Sequence, residues 1–426
     1  MSPSPHTHTG GVPGALRRPA ALLLLSAALW LSVAALAGPA FSAPNGASTR
    51  WRQLEGRIGP GDALVVSGPD GRRLLALHEK KSLIPASILK LVTVLAGFDT
   101  LGPDYRFPTD FYLDPAGDLK IKGYGDPMLV SEVVARIARD LADRLGPEAT
   151  VADLVLDDSY FAEPLSIPGV NDSLEPYDAP NGALCVNFNT VFFSRGPDGA
   201  LQSAEPQTPL LAPALKRIRA SGLDQGRIVL SRSRQESLRY AGHLFAHFLA
   251  EAGVAITGEI RPGRVDPAQD RLLYRHESPF TLEAVAGRLL EFSNNFIANQ
   301  ILISAGARRF SPPGTLEKGV RAAEAFGRQK LALQTLRMAE GSGISRQNRI
   351  TAADMMTVLE HFLPYRHLLV EEGPVRFKTG TLSGIQTRAG YIETPDGLYR
   401  FVLLINTPGR RADPIVRKLV GLLTRP

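Results

Sequence analysis

Ser87 and Lys90 stand three residues apart in the stretch SLIPASILKLVTVLAGF, Ser82 to Phe98. On a helix that spacing puts both side chains on one face. Ser87 would fall in the first turn, where unpaired backbone N–H groups and the positive end of the dipole stabilise an oxyanion. A partly desolvated lysine loses its proton near neutral pH and serves as the base for a serine nucleophile. Ile88, Leu89, Leu91, Val92, Val94, Leu95 and Phe98 crowd the faces of the same segment, so it reads as a buried helix with no packing use for a lysine. A Ser-x-x-Lys tetrapeptide by itself arises by chance about once or twice in a chain of this length.

Two further motifs follow in order. EFSNNFIANQ supplies Ser293 and Asn295, and RFKTGTLSG supplies Lys378, Thr379 and Thr381. The set Ser-x-x-Lys, Ser-x-Asn and Lys-Thr-Gly is the signature of penicillin-binding proteins and active-site serine β-lactamases. About 200 residues separate Ser87 from Ser293, far more than the helical lobe of a β-lactamase requires. With IPASILKLVTVLAGFDTLGPDYRF, GYGDPMLV, LVLDDSYF, SNNFIANQ and EGSGIS, the chain from Trp51 onward resembles the low-molecular-mass class C penicillin-binding proteins, the D-alanyl-D-alanine carboxypeptidase/endopeptidase family. It departs from that pattern where Glu340 precedes Gly341, Ser342 and Gly343, since the family loop usually reads Asp-Gly-Ser-Gly. Asn299 stands where an acidic residue is common, and the inserted part is short for the family.

The resemblance implies a role for each residue. Ser87 resembles the acylated nucleophile, Lys90 its base, and Ser293 the hydroxyl that relays a proton to the leaving amine. Asn295 would hold the substrate backbone, and Lys378, with Thr379 beside it, would recognise a terminal carboxylate. The backbone N–H groups of Ser87 and Thr381 would form the oxyanion hole, worth roughly 3 to 4 kcal/mol per donor in other serine hydrolases. The chemistry needs no metal or cofactor.

Other candidates read more plainly. His243 and His247 have a zinc-compatible spacing in HLFAH, but no Glu lies between them and no third ligand motif follows. Cys185, the only cysteine, sits in the apolar run GALCVNF and reads as a buried small hydrophobe. No internal disulfide can form. GYGDPMLV reads as a turn with Gly123 and Gly125 for backbone freedom, and His78 as strand surface. Glu340 and Ser342 are expected near the cleft, either as wall or as helpers.

The elements that must position these groups are legible after residue 45. DALVVSGPDGRRLLALHE alternates around GPDG, so a hairpin is expected over Ala63 to Ser67 and Arg73 to His78, leading to the helix that carries Ser87. From Phe107 to about Gln235 short strands and Gly/Pro turns predominate, with one helix around Ser131 to Leu145. ESLRYAGHLFAHFLAEAG then restores helical spacing. GPVRFKTGTL, TRAGYIET and LYRFVLLIN read as strands before a last helix with Asp413 as its N-cap and Pro414 in its first turn. The expected fold is α+β, a serine β-lactamase/DD-peptidase-like antiparallel sheet flanked by helices. It would be built from residues 48–106 and 236–426, with a β-rich domain inserted at 107–235.

The 426 residues, 44% hydrophobic and 21% charged, fit a globular protein of two or three domains. The net charge of +6 is spread along the chain with no basic cluster, which argues against nucleic acid as partner. Arg17 and Arg18 precede an apolar run from Ala20 to Ala37, followed by Gly38, Ala40, Ser42 and Ala43, the pattern of a secretory signal peptide over residues 1–43. The run approaches the length of a membrane span, so retention as an anchor and membrane association stay open. Together with this N-terminus, the resemblance implies an exported, periplasmic or extracytoplasmic D-alanyl-D-alanine carboxypeptidase, with an endopeptidase activity open, that acts on peptidoglycan peptides and is acylated by β-lactams. A β-lactamase or esterase on the same fold and an inactive wall-binding module are the alternatives.

Overall fold

The computed structural model describes residues 51–424. The signal segment expected at 1–43 lies outside them. Strands β1 (Ala63–Ser67) and β2 (Arg73–Leu77) form the expected hairpin. A single 3₁₀ turn, Ala86–Leu89, then passes into helix α1 (Lys90–Leu101), so the reactive segment opens more tightly wound than an α-helix. Every residue of α1 from Lys90 to Phe98 is buried.

The chain next builds a second apolar core. Strands β3 (Pro108–Leu113), β4 (Leu119–Gly123), β6 (Leu154–Asp157), β11 (Ile260–Pro262) and β12 (Arg271–Glu277) make a mixed sheet in the order β11-β6-β4-β3-β12. Strands β7 (Thr190–Arg195), β8 (Leu201–Ser203) and β9 (Gly226–Val229) make a small antiparallel sheet, and β5 (Thr150–Val151) pairs with β10 (Ala255–Ile256). Helices α2 (Ser131–Leu145), α3 (Ala212–Ser221) and α4 (Arg234–Glu251) share one apolar core with these strands, including Phe111, Ile137, Phe193, Ile218 and Phe245. The segment is less purely β than its Gly/Pro texture suggests, because α3 is a short helix followed by Gly222.

The packing also bears on the boundary expected at residue 235. α4 buries Leu238, Tyr240, Leu244 and Phe245 in the second core, and β12 closes the second sheet against β3. Helical periodicity reveals that α4 has an apolar face but not which core the face meets. On this packing we propose that the insertion runs from about residue 107 to 277.

The chain returns to the core around α1 with α5 (Leu282–Phe292), α6 (Asn295–Phe310), α7 (Leu316–Lys330) and α8 (Ala352–Phe362). Strands β13 (Val370–Glu372), β14 (Val375–Leu382), β15 (Ile385–Thr394) and β16 (Gly397–Ile405) complete an antiparallel sheet ordered β13-β14-β15-β16-β1-β2, and α9 (Asp413–Leu423) closes the chain. Side chains alternate across this sheet. Ala63, Val65, Val402 and Leu404 meet α1 and α5 to α8 on one face, while Leu64, Val66, Phe401 and Leu403 meet α9, Trp51 and Leu54 on the other. Each such fully buried aliphatic or Phe side chain stabilises by about 1.5–3 kcal/mol. The fold is α+β, with helices on both faces of the antiparallel sheet. Asp413 is not the N-cap of α9; that position is Ala412, and the Asp413 carboxylate pairs with Arg388 instead.

Candidate active site

Ser87 occupies the second position of the 3₁₀ turn, directly after Ala86, whose φ of 49° lies in the left-handed region. Two glycines let other backbone come close to this turn. A Cβ on Gly380 of β14 would lie 2.8 Å from the Ser87 nitrogen, and one on Gly343 would lie 2.0 Å from the Ala86 carbonyl oxygen. A side chain at either position would push the strand or the loop away from Ser87. Thr387 Oγ1 donates to the Pro85 carbonyl at 2.7 Å, tying the turn to β15 as well.

Lys90, the first residue of α1, lies with Nζ 2.9 Å from Ser87 Oγ, 2.8 Å from Asn295 Oδ1 and 2.7 Å from the Ser342 carbonyl oxygen. It has no exposed surface. Burial first, then the charge of Lys378, holds its amine well below the ordinary lysine value, and Glu340 acts in the opposite direction. The side-chain amide of Asn295 donates through Nδ2 to the Tyr177 carbonyl at 3.3 Å, which turns its oxygen toward Lys90.

Ser293 is the joint between two helices. It caps the end of α5 in a left-handed conformation, Asn294 caps the start of α6 by accepting from the Ile297 N–H at 3.0 Å, and Asn295 is the first residue of α6. Lys378 crosses from β14 to donate to Ser293 Oγ at 2.9 Å and to the Thr379 carbonyl at 3.0 Å. Burial, and then the neighbouring Arg388 guanidinium, bring its amine down to about 8.

Ser87, Lys90, Ser293, Asn295 and Lys378 thus gather into one cluster linked by hydrogen bonds and by the Lys378 charge acting on Lys90. Thr379 and Thr381 are oriented differently. Val375 and Phe377 of β14 face the α9 side of the sheet, so by alternation Thr379 and Thr381 share that side, and Thr379 lines a groove there with Phe377, Arg388 and Asp413. The part of β14 that approaches Ser87 is its main chain at Gly380. β13 pairs only with residues 375–377, whereas β15 pairs along the strand from 375 to 382.

Glu340 is fully buried and is a loop organiser, not a residue open to the cleft. Its carboxylate accepts from the backbone N–H groups of Ser342 at 2.6 Å, Gly343 at 2.7 Å and Ser345 at 3.3 Å, and from the amides of Asn348 at 2.8 Å and Asn299 at 3.2 Å. Sequence reasoning missed Tyr177, which acts through its carbonyl, and Arg388, which faces Thr379 across the β14–β15 register. The motif EGSGIS carried a usable signal for Glu340, because a run of small residues frees several N–H groups for one acceptor.

The remaining candidates fall elsewhere. Cys185 is buried, its thiol pushed up by burial, and its sulfur accepts from Asn189 Nδ2 at 3.0 Å. His247 meets Glu251 at 3.2 Å, and His243 borders a groove with Lys216, Arg217 and Arg239. His78 is exposed just beyond β2, its Nδ1 2.8 Å from the Asp62 carbonyl oxygen.

Residues 61–367 match the D-Ala-D-Ala carboxypeptidase 3 (S13) family. A D-alanyl-D-alanine carboxypeptidase of Actinomadura sp. (strain R39) is 27% identical over 93% of this chain and 88% of its own length. Among solved structures, penicillin-binding protein 4 from Haemophilus influenzae superposes with a TM-score of 0.68 at 18% identity, covering 87% of this chain and 98% of that one. The same protein complexed with a β-lactam gives a TM-score of 0.65 at 18% identity, covering 88% of this chain and 99% of that one.

Proposed function

The chain belongs to the D-Ala-D-Ala carboxypeptidase 3 (S13) family, and from that premise we propose that it cleaves the terminal D-Ala-D-Ala bond of peptidoglycan stem peptides through an ester on Ser87. The observation that carries this reading is the 2.9 Å approach of a buried Lys90 Nζ to Ser87 Oγ. A neutral amine has two N–H bonds and one lone pair. The oxygens of Asn295 and Ser342 accept the two N–H bonds, which leaves the lone pair for the Ser87 hydroxyl proton.

In the reaction, the Ser87 oxygen attacks the penultimate D-Ala carbonyl as its proton passes to Lys90. The oxyanion forms between the Ser87 and Thr381 N–H groups. The C–N bond then breaks, and the departing D-Ala amine takes a proton by way of Ser293, which Lys378 holds. The Lys378 ammonium meets the terminal carboxylate of the substrate. Water hydrolyses the ester and restores Ser87.

A β-lactam offers the same carbonyl to the same oxygen, in keeping with the β-lactam complex of the Haemophilus influenzae structure. An endopeptidase activity on crosslinked peptides fits the same cleft, and a solved structure named as a predatory endopeptidase from Bdellovibrio bacteriovorus shares the fold at a TM-score of 0.51 and 16% identity, covering 85% of this chain and 92% of that one. The substrate and the signal-like residues 1–43 support an exported location at the cell wall. No helix among the described residues is long and apolar enough to cross a membrane.

Glu340, the residue that would serve a lactamase as deacylation base, has both oxygens engaged by donors in the interior. That favours the peptidase over the lactamase. Substitution tests the roles directly. Ser87→Ala is expected to abolish both D-Ala release and labelling by fluorescent penicillin, and Lys90→Ala to cost about as much, because groups that act as a unit are non-additive. Near-normal labelling of either variant would discard the assignment of that residue.

A further inference from the structure

We propose that Glu340 is a positioning residue that holds Lys90 in place by way of the Ser342 carbonyl and sets a carboxylate behind its amine. The inference rests on Lys90 being the base of acylation. The connection is short. Glu340 Oε2 accepts from the Ser342 N–H at 2.6 Å, and the carbonyl of the same Ser342 accepts from Lys90 Nζ at 2.7 Å. Oε1 holds Gly343, Ser345 and Asn348, so one carboxylate sets the course of the loop from 341 to 348. Gly343, held at its N–H, is the residue whose missing side chain lets the loop lie against Ala86, beside the nucleophile.

Asn299 completes the arrangement. Its Nδ2 donates to Glu340 Oε2 at 3.2 Å, and its Oδ1 accepts from the Gly341 N–H at 2.8 Å. The Gly341 carbonyl in turn accepts from Thr93 Oγ1 of α1, one turn beyond Lys90, at 2.7 Å. An acidic residue at 299 would set a second carboxylate against Glu340; the amide instead supplies the donor. Glu340 at 340 and Asn299 at 299 thus form a matched pair.

The charge of Glu340 has a consequence for Lys90. The groups that face the Lys90 amine are Ser87 from its own segment, Asn295 from α6, Ser342 with Glu340 behind it from the loop, and Lys378 from β14. Of these, Lys378 and Glu340 carry charge, with opposite effects. Arg388 stands behind Lys378 and depresses it in turn. Without the carboxylate nothing opposes burial and Lys378, so Lys90 would lose its proton at lower pH.

The test is the pH dependence of the acylation rate with a fluorescent penicillin in the full chain. The acid limb, which follows loss of the Lys90 proton, is expected to move to lower pH in Glu340→Gln, the direction set by removing one nearby negative charge. It is expected to return to the wild-type position in the swapped protein carrying Glu340→Gln and Asn299→Asp, where the carboxylate and the amide exchange places. An acid limb unmoved in Glu340→Gln, or one that the swap leaves displaced, would overturn the proposal. Should Glu340→Gln fail to fold, the swapped protein carries the test: a limb at the wild-type pH supports the proposal, and a displaced limb overturns it. Lys90→Ala run alongside separates the two layers. Full acylation in that variant discards Lys90 as the base, whereas its loss together with an unmoved limb in Glu340→Gln discards the role of Glu340 alone.

Discussion

Lys378 Nζ lies 2.9 Å from Ser293 Oγ, so the amine of the Lys-Thr-Gly strand and the hydroxyl of the Ser-x-Asn joint are joined by a direct hydrogen bond. Neither α5 nor β14 alone places them; the contact exists because the helical layer packs against one face of the sheet.

The proposed charge of Lys378 makes recognition of a free carboxylate pH-dependent. With its amine at about 8, the ammonium is present below that pH and lost above it. The specificity constant for a D-Ala-D-Ala acid is therefore expected to fall as pH rises through 8, more steeply than that for the corresponding amide. Lys378→Ala should cost the acid about 1.5–3 kcal/mol more than the amide, the worth of a charged hydrogen bond. Equal losses on acid and amide would leave the lysine a role in proton transfer only.

Gln300 joins the insertion to the helix that carries Asn295. Fully buried in α6, it accepts from Asn181 Nδ2 at 3.0 Å and donates to the carbonyls of Gly125 at 3.2 Å and Gly182 at 3.0 Å. Gln300→Leu removes those partners at similar volume, strands the buried Gly125 carbonyl and leaves the Gly182 carbonyl only the Cys185 thiol at 3.4 Å. A loss of about 2–4 kcal/mol in urea unfolding is expected. A change under 0.5 kcal/mol, the size of a surface substitution, would show that the junction relaxes around the loss.

Asp126, in GYGDPMLV, should make stability fall with rising pH. Burial raises its carboxyl to about 7, Oδ2 has no hydrogen-bond partner among the described residues, and Oδ1 accepts from the Met128 N–H at 2.8 Å. The folded state holds the proton more tightly than the unfolded chain, so the unfavourable contribution grows as pH rises from about 4 and is complete above 7. Asp126→Asn keeps the Met128 bond and removes the charge. It should be more stable than the wild type by about 2–4 kcal/mol at pH 8, with the difference vanishing near pH 4. A variant less stable than the wild type at both pH values would contradict this.

The sequence made the hairpin, the three motifs and the C-terminal strands legible, because β1, β14, β15 and β16 alternate or run apolar between clear turns. The grouping of Ser87, Lys90, Ser293, Asn295 and Lys378 was legible because their motifs are patterns of side chains. What stayed hidden acts through the backbone or through packing. Tyr177 contributes a carbonyl, Glu340 gathers three backbone N–H groups, and α4 carries an apolar face that either core would accept. The side on which Thr379 lies follows from strand register, which its motif does not encode.

The most direct test of the central claim is the time course of a chromogenic β-lactam beside that of a D-Ala-D-Ala peptide. General-base assistance is worth about 10²- to 10⁴-fold, and Glu340 is locked inside its loop, so the penicilloyl ester on Ser87 should be long-lived. The account predicts a burst of about one equivalent of β-lactam per active site followed by slow turnover, continuous release of D-Ala from the peptide, and neither signal in Ser87→Ala. Sustained rapid β-lactam turnover with no peptide hydrolysis would contradict it and identify a lactamase.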